Sequence, residues 1–198
     1  MNAAILAGGQ ARRFGGLDKS ALVVGNSSIL ERQVSVLREV ADRVLLVGGN
    51  HVSLEDRALE VVPDRLPHAG ALGGIYTALL ASHTEHVIVL ACDLPFVSAN
   101  FLRHLAGLAG PGLDAVVPRS PDGLQPLCAV YSRSLAPRIG ELIAAGRLKV
   151  AGALEAGRVR EIDPAEIAAV EPDEKLFLNV NTPDDLERAS RLLHNSTR

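Results

Sequence analysis

The residues best suited to chemistry follow the first apolar run of the chain: Leu6-Ala7-Gly8-Gly9-Gln10-Ala11-Arg12-Arg13-Phe14-Gly15-Gly16-Leu17-Asp18-Lys19. Glycines let a backbone come close to a ligand and aim consecutive N–H groups at it. Arg12, Arg13 and Lys19 add permanent positive charge, and the combination suits a polyphosphate. Only three lysines occur, Lys19, Lys149 and Lys175, against seventeen arginines, so a compact ammonium here points to a specific phosphate contact. The loop matches neither common phosphate cradle. A P-loop has Gly directly before its Lys, where Asp18 stands, and a dinucleotide fingerprint needs a G-x-G-x-x-G that Gly8-Gly9 and Gly15 do not supply. The plain alternative is a glycine-rich surface loop with solvated charges.

Further candidates lie along the chain. Val87-Ile88-Val89-Leu90-Ala91-Cys92-Asp93-Leu94-Pro95 delivers a lone carboxylate at the end of an apolar run. Beside a phosphate loop, Asp93 is a natural ligand for a hard cation such as Mg²⁺; its alternative is a turn or helix cap. Asp64, after Pro63, could meet the N–H donors of a guanine, or serve only its own turn. Gly70-Ala71-Leu72-Gly73-Gly74-Ile75 opens a helix with residues small enough for a base or ribose to pack on the backbone, or for a tight turn alone. Asn179 and Asn181 sit at period two in a short extended piece, so both amides could bind a polar ligand or do cap work for the last helix. Cys128 reads as packed core, with no His or Asp near it in sequence. His83, His86 and His104 lack ligand spacing and read as solvated or capping.

These residues need elements to hold them. Ala3–Ala7, Arg43–Val47, Leu59–Val62, His86–Ala91 and Asp114–Val117 are short, apolar and bounded by Gly, Pro or Asp, as strands of a covered parallel sheet are. Helical patterns alternate with them at Ser28–Ala41, Leu72–Ser82, Ser98–Ala109, Ser134–Ala145 and Pro183–Leu193. Thr182-Pro183-Asp184-Asp185 is a start signal for the last: a cap, Pro at the first helical position, then two acids. Gln125–Tyr131 reads as a strand returning beside the site, and Gly107–Gly112 and Pro118–Gly123 as loops. The alternation predicts a single-domain, Rossmann-like α/β fold, doubly wound, with a mostly parallel sheet and helices on both faces. Residues 1–194 form this domain and 195–198 a frayed tail.

Composition narrows the function classes. At 198 residues the chain suits one core. A net charge of -3 argues against a dedicated nucleic-acid binder, and 3% aromatics against rows of stacked bases. Two cysteines exclude a disulfide framework, and no run approaches a membrane span or a signal peptide. The expected setting is cytoplasmic, with neither nucleic acid nor membrane as partner.

Taken in order, the motif over residues 6–19, the Gly70–Ile75 segment, Cys92-Asp93-Leu94-Pro95, Gln125–Tyr131 and Asn179–Leu186 resemble the molybdenum cofactor guanylyltransferases of the nucleotidyltransferase superfamily. The double Gly with paired Arg, and Asn-x-Asn-Thr-Pro near the end, narrow the resemblance to this branch. Relatives that transfer cytidylyl groups commonly carry Ala-Ala-Gly where Ala7-Gly8-Gly9 stands. The resemblance implies transfer of GMP from GTP to the terminal phosphate of molybdenum-bearing molybdopterin, with pyrophosphate released and Mg²⁺ as cofactor. Leu6, Ala7, Gly8, Gly9, Arg12, Lys19, Asp64 and Asp93 would bind the nucleotide, with Asp64 on the guanosine and Asp93 on the metal. Lys19, Asp93 and Arg13 would be catalytic, and Asn179 and Asn181 would face the acceptor. Other molybdenum cofactor biosynthesis proteins and acceptor molybdoenzymes would be partners. Ala71 departs from the Pro often found there. The alternatives are a related cytidylyl- or sugar-phosphate nucleotidyltransferase and a non-catalytic nucleotide-binding module.

Overall fold

The computed structural model of the protein describes residues 1–7, 21–49, 59–155 and 157–195. Its centre is a sheet whose main strands are β1 (Asn2–Leu6), β4 (Arg43–Val47), β5 (Leu59–Val62), β6 (His86–Ala91), β7 (Ala115–Ser120), β9 (Cys128–Ser132) and β10 (Val159–Ile162). They lie in the spatial order β10-β7-β9-β6-β1-β4-β5. β1 pairs in parallel with β4 and β6, β4 with β5, and β10 with β7. β9 runs against both β6 and β7. The short β8 (Gly123–Leu124) folds back on β7, and β2 (Val23–Val24) pairs with β3 (Ser27–Ser28) as a separate hairpin.

Side chains alternate across a strand, and the two faces of the sheet carry two cores. Ala3, Ile5, Val44, Leu46, Ile88 and Leu90 join one, with Leu30, Val34 and Leu37 of α1 (Ile29–Arg38) and Phe101, Leu102 and Leu105 of α3 (Ala99–Leu108). Ala4, Leu45, Val47, Val87 and Val89 join the other. There they meet Leu72, Ile75 and Leu79 of α2 (Gly70–Ala81) and Ile139 and Leu142 of α4 (Ala136–Ala144). With both faces covered, the central strands are apolar after their first residues, Asn2, Arg43 and His86, which is why they read as continuous runs. Ser28 caps α1, and Glu31 returns the contact to complete a capping box.

Several boundaries differ from the sequence expectation. Pro118–Ser120 is no loop: it continues β7, with Pro118 in register with Ile162 of β10. Proline lacks the N–H that a ladder uses, yet still accepts, so a strand can hold it. Gly107 and Leu108 belong to α3. β10 carries mixed, partly exposed residues, and the helices α5 (Val150–Leu154) and α6 (Pro164–Val170) are too short for a helical period to show; none of the three was expected. His104 is neither solvated nor capping: half-buried, it meets Glu166 of α6 at 3.0 Å. The final helix α7 runs Pro183–Asn195, so His194 and Asn195 belong to it. Its start is built as expected, with the Asp185 carboxylate accepting from the Thr182 N–H at 2.9 Å and the Thr182 hydroxyl accepting from the Asp185 N–H at 3.2 Å.

α7 docks on the small hairpin. Leu22, Val24 and Ile29 pack with Val180 and Ala189, and Leu178, Leu186 and Leu193 lean on them. The end of the chain is thereby fixed to the segment that leaves the glycine-rich loop.

Candidate active site

In an open α/β sheet the carboxyl ends of the strands form the natural ligand crevice, at the point where the winding direction reverses. Here β4 lies on one side of β1 and β6 on the other, and a cavity of about 190 Å³ opens there. Leu6, Val47, Ala91, Cys92 and Leu127 come from strand ends, Pro67 from the turn before α2, Gly70, Ala71 and Gly74 from its start, and Asp64 and Asp93 supply the charge. The structure thus brings together both carboxylates and the Gly70–Ile75 segment. Leu6 and Ala7 stand at the exit of β1, where the Ala7 N–H donates to the Val47 carbonyl at 2.8 Å. Gly8, Gly9, Arg12, Arg13 and Lys19 lie outside the described residues.

Asp93 sits half-buried in the turn after β6. The strand ends at Ala91, as expected, and the turn begins there. A residue that the motif reading missed holds this turn. Gln33 of α1 is fully buried, and its amide donates to the Ala91 carbonyl at 2.7 Å and the Leu94 carbonyl at 3.1 Å, on either side of Asp93. Its signal in the sequence is an amide on the apolar face of α1, three residues after Leu30.

Asp64 lies after β5. Its Oδ1 accepts from the Leu66 N–H at 3.0 Å, a turn of the kind short acids make, and from the Thr77 hydroxyl at 2.9 Å. Turn duty and a place on the cavity wall are therefore combined in one side chain. The glycines of α2 divide in the same way. A Cβ on Gly73 would stand 2.4 Å from the Leu66 carbonyl, so this glycine serves the tight entry to the helix. Gly74 faces Leu6 and lines the cavity.

The asparagines separate. Asn179 is exposed and lines a second, wider groove of about 610 Å³. The groove runs between α6, the segment 171–179, the turn Ser120–Asp122 and the start of α7, with Arg119 and Arg188 among its charges. Asn181 lines neither of these two cavities; its backbone N–H donates to the Asp185 carboxylate at 3.0 Å. Between them, buried Val180 donates its N–H to the Asp93 carbonyl at 2.9 Å. The groove and the strand-end cavity therefore adjoin across one backbone hydrogen bond. Cys128 is packed core, and burial pushes its thiol up to about 12, which removes it as a nucleophile near neutral pH.

No group of three or more His, Cys, Asp or Glu side chains that could hold a metal occurs among the described residues. Mg²⁺ does not need one: it is commonly held by one or two carboxylates together with water and substrate phosphates, and Asp93 at the cavity wall fits that donor set. No described helix is long and apolar enough to cross a membrane.

Comparison with known proteins agrees with this fold. Residues 3–159 match the family model of the MobA-like NTP transferase domain. A probable molybdenum cofactor guanylyltransferase of Pelotomaculum thermopropionicum is 37% identical over 97% of this chain and 93% of its own. A molybdenum cofactor guanylyltransferase of Desulfosudis oleivorans is 32% identical over 93% of this chain and 92% of its own. The crystal structure of molybdopterin-guanine dinucleotide biosynthesis protein A from Archaeoglobus fulgidus superposes with a TM-score of 0.83 at 28% identity, covering 98% of this chain and 100% of that one. With a crevice at the strand ends, two carboxylates in its wall and relatives matched over nearly their whole length, the chain belongs to the MobA-like NTP transferase family.

Proposed function

We propose that the protein transfers GMP from GTP to the terminal phosphate of molybdenum-bearing molybdopterin and releases pyrophosphate. The observation that carries this reading is the strand-end cavity, with Asp64 and Asp93 in its wall, in a chain that guanylyltransferases match over nearly its whole length. A phosphate oxygen of the pterin forms the new P–O bond to the α-phosphorus of GTP while the bond to the β-phosphate oxygen breaks. Such a transfer depends on alignment and charge neutralisation. The attacking phosphate is already anionic, so no strong general base is required.

Asp93 would hold Mg²⁺, which when bound neutralises phosphate charge. Lys19, Arg12, Arg13 and the backbone N–H groups of Gly8 and Gly9 would take up the charge that grows on pyrophosphate. Leu6 and Ala7 would flank the nucleotide, and Asp64 would accept from the guanine edge. The wide groove would receive the pterin, with Asn179 on its wall and Asn181 at its junction with the donor side. Neutral amides both donate and accept, as the mixed edge of a pterin requires. Other proteins of molybdenum cofactor biosynthesis and the molybdoenzymes that use the product would be partners.

Pyrophosphate release with the molybdopterin acceptor and Mg²⁺, measured across the four NTPs, tests the assignment. GTP should give the fastest release and the largest rise in melting temperature. Preference for CTP would move the protein to the cytidylyl branch, and binding without release would make it a nucleotide-binding module.

A further inference from the structure

α2 is largely apolar, and Thr77 stands on its buried face among Leu72, Gly73, Gly74, Ile75, Ala78 and Leu79. Thr77 is fully buried. A valine would fill the same space, and a buried hydroxyl is unfavourable unless it is hydrogen-bonded. Here it makes two bonds. It accepts from the Arg65 N–H at 3.1 Å and donates to Asp64 Oδ1 at 2.9 Å. Oδ1 also accepts from the Leu66 N–H at 3.0 Å. A carboxylate oxygen has about two lone-pair sites, and on Oδ1 both are taken. The carboxylate is pinned at one oxygen, and Oδ2 carries most of its remaining capacity to accept.

We infer that Thr77 is a positioning residue for base selection: its hydroxyl fixes Asp64 so that Oδ2 presents an acceptor to the donor edge of a purine in the strand-end cavity. This rests on the reading that Asp64 meets guanine. Guanine carries N–H donors at N1 and N2, whereas adenine has an acceptor at N1 that a fixed carboxylate oxygen repels. A carboxylate free to turn would choose between them less well. Recognition by a preorganised polar group gives strong discrimination, and it fades when the supporting shell is loosened.

Calorimetric binding of GTP, ATP and inorganic tripolyphosphate, with Mg²⁺, tests the inference on the full chain. Thr77→Val should lower the preference for GTP over ATP at least ~fivefold, leave tripolyphosphate affinity unchanged, and be rescued by Thr77→Ser. Thr77→Ala carries the same test should the valine variant fail to fold. A lower melting temperature with an unchanged GTP-to-ATP preference would make Thr77 structural and overturn the inference. Asp64→Ala separates the two levels. If it abolishes the preference while Thr77→Val and Thr77→Ala do not, only the positioning role falls. If it leaves the preference intact, the base is read elsewhere and both fall.

Discussion

The strand-end cavity and the wide groove adjoin at the bond between Val180 and Asp93 but are built differently. Every wall residue of the cavity falls within the segment that the family model spans, residues 3–159. The groove draws most of its wall from later residues, Pro164 to Arg188, with only Arg119–Asp122 from within that segment. The cavity hangs on parallel strands covered on both faces, and buried side chains from opposite faces brace its turns, Gln33 from α1 and Thr77 from α2. The groove is walled by short helices and turns whose charges are largely exposed and partly paired, as Arg119 is with Glu161. A phosphate-transfer centre needs fixed geometry, and a rigid sheet end supplies it. On the proposed reading, the acceptor would lie against the short α6, the turns beside it and the start of α7.

The comparison breaks most sharply at Asp93. On the proposed reading, Asp93→Ala removes metal-assisted charge neutralisation, so transfer should fall by at least ~10³-fold, about 4 kcal/mol, with the melting temperature nearly unchanged. Near-normal pyrophosphate release from a folded Asp93→Ala protein would end the metal assignment. Next comes Lys19→Ala, which should weaken GTP by ~10- to 100-fold and guanosine hardly at all, because hydrogen bonds to charged groups are worth about 1.5–3 kcal/mol. Equal losses for both ligands by calorimetry would remove Lys19 from the phosphates. Lys19→Arg should not restore full affinity, since a planar fork replaces a compact ammonium poorly.

How far the sequence disclosed these two regions follows from the same contrast. The central strands were readable because both faces are covered, and a covered strand must be apolar at every position, as Val87–Leu90 is. Asp93 stood out as a charge ending such a run. β10 escaped notice because its residues are mixed and partly exposed, and α6 because it is two turns after Asp163 with a single buried side chain, Ile167. Gln33 and Thr77 were hidden for another reason. Each is a single polar residue on an apolar helix face, and only the fold shows which carbonyl or carboxylate it meets. The pairing of Asp64 with Thr77, thirteen residues apart, needs the return of the chain from β5 into α2.

Asn179 sharpens the comparison from the groove side. Asn179→Ala should lower activity toward the pterin acceptor ~tenfold, about 1.4 kcal/mol, while GTP affinity and melting temperature hold. Adding Asn181→Ala should deepen the acceptor loss. Its backbone N–H, which the side-chain change leaves in place, holds Asp185, so the cap of α7 survives. Loss of GTP binding and stability together would make the asparagines structural and move the acceptor site toward Arg119 and Gln125.

The smallest effect belongs to the cap that ties the groove to α7. The backbone N–H of Asn181, with further bonds from Thr182 and the nearby charge of Arg188, holds the Asp185 carboxyl below the usual aspartate range. A carboxylate with a lowered folded-state pKa contributes stability above its unfolded value, about 3.9, and loses it as pH falls through the lower folded value. The loss should therefore appear only below about pH 4, and nothing should change between pH 6 and 8. Because the group is partly exposed to solvent, its share is modest, a few tenths of a kcal/mol after screening. Asp185→Asn should flatten that acid limb of the melting-temperature profile and lower the plateau slightly, since an amide oxygen can still accept from the Asn181 and Thr182 N–H groups but carries no charge for the helix start. An acid limb of the same slope in the Asp185→Asn protein would show that other carboxylates govern it.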